Sequence, residues 1–181
     1  MGTAYLGLGS NLGNRLEHLQ SALSLCRAAG IIPLRGSHVY ETEYDGPIDS
    51  PQPRFLNCVV RVRSGPGPHD LLATVQQIER TLGRTPTFGW MPRSIDLDVL
   101  MVPGVCLRSA DLILPHPRMW TRGFVMVPLA ELDPDIEAPD GRTAARLAAE
   151  CMLTGPAVRP YAPPRSLFAG EYVDNSANLS I

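Results

Sequence analysis

The chain contains no lysine; all 16 of its basic residues are arginine. That absence excludes a Walker A phosphate loop, a Schiff-base lysine and any mechanism in which an amine serves as base. Any anion binding falls to guanidinium groups. Net charge is equally scarce. Against 18 acidic residues the 16 arginines leave a formal charge of −2, with a pI of 6.1. Such a chain offers no basic field to nucleic acid and no block of like charge to a surface partner. Also missing is any run approaching the ~18 uncharged apolar residues of a membrane-spanning helix. The four cysteines (Cys26, Cys58, Cys106, Cys151) include no C-x-x-C pair, and three of them sit in apolar patterns. That is the pattern of buried free thiols in a reducing compartment rather than of disulfides or metal ligands. The first residues lack the basic segment of a secretory signal, and the sixth is neither Ser nor Thr, as myristoylation would require. A cytoplasmic protein is expected.

Glycine and proline, by contrast, are plentiful, at 16 and 18 of 181 residues and without a collagen-like period. The chain should be rich in loops, and long loops in a compact domain are often functional. Its length suits one domain. Residues 3–10 read as a strand running into the turn cluster Asn11-Leu12-Gly13-Asn14. A helix follows, with Asn14 as cap, Glu17 completing a capping box, Leu12, Leu16, Leu19, Leu23 and Cys26 at helical spacing, and Gly30 as its end. Residues 31–44 form a long, proline-interrupted strand pattern. In residues 55–63, Leu56, Cys58, Val60 and Val62 share one face and Phe55, Asn57 and Val59 the other. A second helix spans residues 68–82 on the stripe Leu71, Val75, Ile78 and Leu82, closed by Gly83. Residues 94–102 give another strand and 111–114 a short one, and residues 121–132 and 143–152 read as helices. Strand, helix, strand, strand, helix, strand is the order of a ferredoxin-like βαββαβ α+β sandwich, here with extra C-terminal helices and strands. The expected domain is 1–152. Residues 153–181, rich in Pro, Ser and Asn without a period, read as a tail of unassigned role. Residues 45–53 and 84–93 are predicted as long exposed loops.

The most informative residues are Asp96 and Asp98. Alternation puts them on one face of the 94–102 strand together with Leu100 and Val102, opposite Ile95, Leu97, Val99 and Met101. Two like charges about 7 Å apart on one face repel, and aspartate is disfavoured in strands, so something must offset the cost. A divalent cation would, and hard oxygen ligands without His or Cys beside them suit Mg²⁺, whose shell is commonly completed by water and substrate phosphates. Pairing with Arg93 at a sheet edge would offset it equally, so this motif alone leaves both readings open. Arg84, Arg93, Arg118 and Arg122 stand near this strand and the Pro115-His116-Pro117 turn, and with a metal they would make a cationic wall for a polyphosphate. Gln76 and Glu79 lie i, i+3 beside the apolar stripe of the second helix. Phe55 and Phe124 could stack on a ring or fill a core. Gly7-Leu8-Gly9-Ser10-Asn11-Leu12-Gly13 fails as a dinucleotide fingerprint, because its third glycine falls one residue late.

Together these stretches resemble the 6-hydroxymethyl-7,8-dihydropterin pyrophosphokinase family of folate biosynthesis. The resemblance covers residues 3–149. It is carried by Ala4-Tyr5-Leu6-Gly7-Leu8-Gly9-Ser10-Asn11-Leu12-Gly13, Phe55-Leu56-Asn57, Ile78-Glu79, Gly83-Arg84, Trp90-Met91-Pro92-Arg93-Ser94-Ile95-Asp96-Leu97-Asp98, Pro115-His116, Arg122-Gly123-Phe124 and Pro128-Leu129. It implies an ATP-binding transferase that moves the β,γ-diphosphate of ATP to the pterin hydroxymethyl oxygen and releases AMP. Carried over by position, Asp96 and Asp98 would hold two Mg²⁺ ions. Arg84, Arg93, His116 and Arg122 match phosphate-contacting positions, with Arg84, Arg93, Asp96 and Asp98 as the catalytic set. Gln76 and Glu79 match positions near the nucleotide. The pterin would lie between Phe55 and Phe124, read by Asn57 and by backbone groups from Thr42 to Gly46. A neighbouring folate enzyme would be a natural partner. The chain departs from the family pattern at Thr85-Pro86, where a second loop arginine is usual, at Met91 within the Trp90–Arg93 run, and at Glu43-Tyr44-Asp45, which adds two carboxylates beside a polyanion site. Two further classes share the motifs: a D-x-D nucleotidyltransferase, which would release pyrophosphate, and a non-catalytic ferredoxin-like ligand-binding module.

Overall fold

A computed structural model describes residues 2–45, 52–84 and 91–168. At its centre runs strand β1 (Gly2–Ser10), paired antiparallel with β4 (Phe55–Ser64) on one side and β5 (Asp96–Met101) on the other. Beyond β4 lie β2 (Ile32–Gly36) and β3 (Val39–Thr42), each paired to a different stretch of it, and β8 (Val158–Ala162) adds to β3. The order across the sheet is β5-β1-β4-β3-β8. Strand β5 is therefore an edge strand. A separate ribbon joins β6 (Leu107–Arg108) to β7 (Ile113–Leu114). This is an α+β fold.

Helices α1 (Arg15–Ala28) and α2 (Pro68–Thr81) close one face of the sheet. The Asn14 side chain accepts the Glu17 amide and caps α1, while α2 starts on Pro68, whose missing N–H needs no partner in the first turn. Gly30 and Gly83 follow the two helices at φ +81° and +80°, a conformation that disfavours a side chain. Leu19, Ala22, Leu23 and Cys26 of α1 and Leu71, Val75 and Ile78 of α2 pack on Leu6 and Leu8, on Leu56, Cys58 and Val60, and on Leu97 and Val99. The two-residue period of the strands and the helical stripes thus meet in one layer.

The opposite face is only partly covered. Helices α3 (Gly123–Leu132) and α4 (Ala144–Thr154) sit over one end of it, burying Tyr5, Val59 and Leu100 with Met126, Leu129 and Leu147. Polar contacts fasten the end of α3: Tyr5 donates to Asp133 at 2.6 Å and Tyr40 to Glu131 at 2.9 Å. Burial and the adjacent carboxylate push the Tyr5 hydroxyl up to about 12. No helix among the described residues is long and apolar enough to cross a membrane. All four cysteines are free, with Cys26 and Cys58 buried and Cys106 exposed.

Two expectations are corrected. The 31–44 pattern is two strands rather than one, parted at Ser37 and His38. There the Ser37 N–H donates to the Val59 carbonyl at 2.9 Å and its hydroxyl accepts the Val59 N–H at 3.1 Å, so the side chain replaces a rung of the ladder. The stretch read as a periodless tail from residue 153 is packed as far as residue 168. Strand β8 pairs with β3, and Leu167 and Phe168 are buried against Gly36. Alternation is absent from β8 because it is an edge strand with Pro160 at its middle, where one face of polar residues meets solvent. Residues 169–181 lie outside the described residues.

Candidate active site

The uncovered part of the second sheet face holds a pocket of about 500 Å³. Its floor is β1. Gly7 and Gly9 sit opposite Asp98 and Asp96 of β5 on one side, and opposite Val59 and Asn57 of β4 on the other. A Cβ on Gly9 would come within 2.8 Å of the Asn57 side-chain oxygen, and one on Gly7 within 3.3 Å of Leu100. These glycines keep the floor low enough for a ligand to reach both walls. Thr42, Phe55 and Asn57 line one wall, with Asn57 donating to the Thr42 hydroxyl at 2.7 Å. The rest of the lining carries Asp96, Asp98, Arg84 and Arg93 together with His116, Arg118, Arg122 and Phe124.

The two aspartates differ in their surroundings. Asp96 pairs through one oxygen with Arg84 at 2.8 Å and through the other with Arg93 at 3.1 Å. Burial, with the Asp96 charge alongside, holds the Asp98 carboxyl well above the usual carboxylate range, and Arg122, Arg84 and Arg93 only partly oppose this. The sheet-edge pairing with Arg93 weighed against a cation site thus exists at Asp96, while no ion pair within 4 Å is found among the described residues for Asp98, whose carboxyl is raised first by burial. His116 is held by its own N–H, which donates to the Leu100 carbonyl at 2.7 Å. Its Nδ1 accepts the Arg118 N–H at 3.2 Å. Burial and the charges of Arg122 and Arg118 lower its pKa, so the imidazole is neutral with its remaining proton on Nε2, a donor at the pocket edge. The Arg122 guanidinium lies 5.3 Å over the Phe124 ring. Of the acidic residues in the 43–45 segment, Glu43 faces Arg54 at 3.5 Å, which offsets part of its charge, while Asp45 attracts Arg122.

The structure therefore brings together Thr42, Phe55, Asn57, Arg84, Arg93, Asp96, Asp98, His116, Arg122 and Phe124. Gly46 and Trp90 lie outside the described residues. Gln76 and Glu79 do not line the pocket: Gln76 is exposed on α2, and Glu79 is buried, 5% exposed, on the helix-covered side. One Glu79 oxygen accepts the Leu97 N–H at 2.7 Å and also meets Arg84. Burial pushes the Glu79 carboxyl up to about 7, with the Leu97 N–H and Arg84 pulling it back.

Two features lack an assigned role in the sequence. Gly7 and Gly9 read there as a failed nucleotide loop and as part of the resemblance, although glycines two apart in a strand also mark a face approached by something else. Asn11, 2% exposed, ties down both loop feet. Its Oδ1 accepts the Arg93 N–H at 2.7 Å, its N–H donates to the Arg93 carbonyl at 3.1 Å, and its Nδ2 donates to Gln52 at 3.0 Å and to the Pro53 carbonyl at 3.3 Å. An asparagine just past a strand was the available signal.

Comparison with known proteins bears on the family and the fold. The family model described as 7,8-dihydro-6-hydroxymethylpterin-pyrophosphokinase matches residues 5–134. The 2-amino-4-hydroxy-6-hydroxymethyldihydropteridine pyrophosphokinase of Bacillus subtilis is 42% identical over 135 residues, covering 74% of this chain and 80% of that protein. The mitochondrial folate synthesis bifunctional protein of Pisum sativum is 46% identical over 127 residues, or 70% of this chain and 24% of the relative. The chain thus spans about a quarter of the length of the bifunctional relatives it matches. Among solved structures, wild-type Plasmodium falciparum HPPK-DHPS with pteroate superposes with a TM-score of 0.64 at 15% identity, over 83% of this chain and 43% of that one. At that identity the likeness speaks for the fold.

Proposed function

The chain belongs to the 7,8-dihydro-6-hydroxymethylpterin pyrophosphokinase family, and from that premise we propose that it transfers the β,γ-diphosphate of ATP to the hydroxymethyl oxygen of 6-hydroxymethyl-7,8-dihydropterin. The pterin oxygen attacks the β-phosphorus, the bond between the α- and β-phosphates breaks, AMP leaves and the hydroxyl proton passes to solvent. The observation that carries this reading is the pocket itself. Two carboxylates of one strand, four arginines (Arg84, Arg93, Arg118, Arg122), two phenylalanines and a buried amide line it together. We read the fold as ferredoxin-like. The sheet order β5-β1-β4-β3, with α1 and α2 on one face, supports this.

The residues fit a divalent cation. Among the described residues no group of three or more His, Cys, Asp and Glu is assembled, so a cation here would take two hard carboxylate oxygens and complete its shell with water and phosphate, as Mg²⁺ does. The second carboxylate, Asp98, buried beside Asp96 on the same strand face, supports the same reading. In our proposal Asp96 and Asp98 hold two Mg²⁺ ions. Bound there, these would neutralise triphosphate charge and lower the pKa of the attacking hydroxyl. Arg84, Arg93 and Arg122 then hold the phosphates through charge-assisted bonds, and His116 donates from Nε2. Phe55 and Phe124 flank the pterin ring while Asn57, oriented by its bond to Thr42, reads its edge. For the pterin to use the Phe124 face that Arg122 covers, the guanidinium must move off toward the phosphates. A neighbouring folate-synthesis enzyme as partner is supported by the bifunctional relatives. Incubating the protein with Mg²⁺, ATP and the reduced pterin tests the proposal: AMP is expected only when all three are present.

A further inference from the structure

Strand β5 bears both aspartates and is the edge of the sheet, so its backbone groups that point away from β1 have no strand to pair with. Leu97, between Asp96 and Asp98, is such a residue. It is 3% exposed, so an unmet N–H there would be buried without water. The acceptor comes from another element. Glu79, near the end of α2 and itself 5% exposed, reaches the Leu97 N–H at 2.7 Å. The same carboxylate oxygen meets the Arg84 guanidinium, which in turn pairs with Asp96 at 2.8 Å. One buried side chain thereby stands in for a missing strand neighbour and also anchors the arginine at the foot of the 84–93 connection.

Resting on the pyrophosphokinase reading, we propose that Glu79 is a positioning residue: from the far side of the sheet it fixes β5 at Leu97 and Arg84 beside it, and so sets the spacing of Asp96, Asp98 and Arg84 without touching nucleotide. This differs from the role its sequence position implies, that of a neighbour of the nucleotide. The geometry favours the indirect role, because Glu79 is spent on two partners within the protein and does not line the pocket. Misplacement of reacting groups by about 1 Å can cost on the order of 100-fold in rate. A fastening error should therefore appear in turnover and not in ground-state affinity.

The test uses the full chain with Glu79→Ala, Glu79→Gln and the wild type. Glutamine keeps a carbonyl oxygen for the Leu97 N–H and loses the charge toward Arg84; alanine loses both. Three readouts are needed: hydrogen exchange of the Leu97 amide without ligands, kcat and KM for ATP, and equilibrium binding of a non-hydrolysable ATP analogue with Mg²⁺. The proposal expects Glu79→Ala to exchange at Leu97 at least about tenfold faster and to lose roughly 10- to 100-fold in kcat, with analogue affinity changed less than about threefold. Glu79→Gln should restore Leu97 protection and most of the turnover. Unchanged Leu97 exchange in Glu79→Ala overturns the proposal. So does loss of analogue affinity with kcat intact, which would make Glu79 a nucleotide contact, and so does a lowered melting temperature with kcat intact, which would make it merely structural. If the wild type releases no AMP, the pyrophosphokinase reading fails instead, and the Leu97 exchange comparison still decides whether Glu79 fastens β5.

Discussion

The two faces of the sheet are built for different tasks. The face under α1 and α2 is closed by leucine, isoleucine, valine and cysteine side chains, with Glu79 as its buried charge. The face under α3 and α4 is closed over only part of its area, and the open part carries Gly7, Gly9, Asn57, Asp96 and Asp98. The same strands supply both. In β5, Leu97 and Val99 go to the first face while Asp96 and Asp98 go to the second. The lesson is one of division: a strand's two-residue period lets one side hold the fold while the other keeps groups that the fold alone would reject.

Substitutions on the two faces should therefore separate turnover from stability. The largest effect is expected at Asp96→Asn and Asp98→Asn. Each should lower AMP formation by about 1,000-fold or more, on the scale of the several kcal/mol that a bound metal ion supplies, with the folded state kept. Activity measured beside thermal unfolding checks this, and retained turnover would reduce the pair to sheet-edge ion pairs. Next, Arg84→Ala should cut turnover about 100-fold, as for loss of one transition-state charge contact, with a much smaller loss of nucleotide affinity. An equal loss in both would mean that Arg84 holds only ground-state ATP.

On the closed face the expectation reverses. Leu19→Ala removes a fully buried side chain and should cost about 2–4 kcal/mol of stability, while turnover per folded molecule stays at the wild-type level below the melting transition. Denaturant titration and kinetics on the same sample decide it.

The smallest effect concerns pH. Burial raises the Asp98 carboxyl to about 6 and the Glu79 carboxyl to about 7, above their unfolded values. Below the unfolded values the protonated groups contribute fully to stability, and that contribution is lost as pH rises through 6 and 7. In chelator, stability should therefore fall steadily between pH 5 and pH 8 and level off above it. Asp98→Asn should flatten the slope. A slope as steep as wild type in that variant would remove Asp98 as its source.

The closed face was the more legible of the two. Periodicity at Leu19, Leu23 and Cys26, at Leu71, Val75 and Ile78, and at Leu56, Cys58 and Val60 identified it residue by residue, because packing follows the helix and strand repeats directly. The Asp96–Asp98 pair was legible for the opposite reason, as an expense no packing argument explains. Illegible were features set by tertiary position. Gly7 and Gly9 became a floor only once β4 and β5 flanked β1. Asn11 gained its partners from two loops far away in sequence. Glu79 looked like the polar flank of α2 until β5 proved to be an edge strand needing an acceptor. Strand β8 escaped because Pro160 and an exposed face erase alternation. The family resemblance filled part of this gap for the pocket, since Phe55, Asn57, His116 and Arg122 carry no individual signal.

Transfer of an intact diphosphate leaves a signature that phosphorus NMR of one reaction mixture reads. With protein, Mg²⁺, ATP and 6-hydroxymethyl-7,8-dihydropterin, AMP and a pterin diphosphate should appear in equal amounts, with neither ADP nor free pyrophosphate, and no conversion when the pterin is left out. ADP with a pterin monophosphate, or pyrophosphate with a nucleotide-linked pterin, would contradict it.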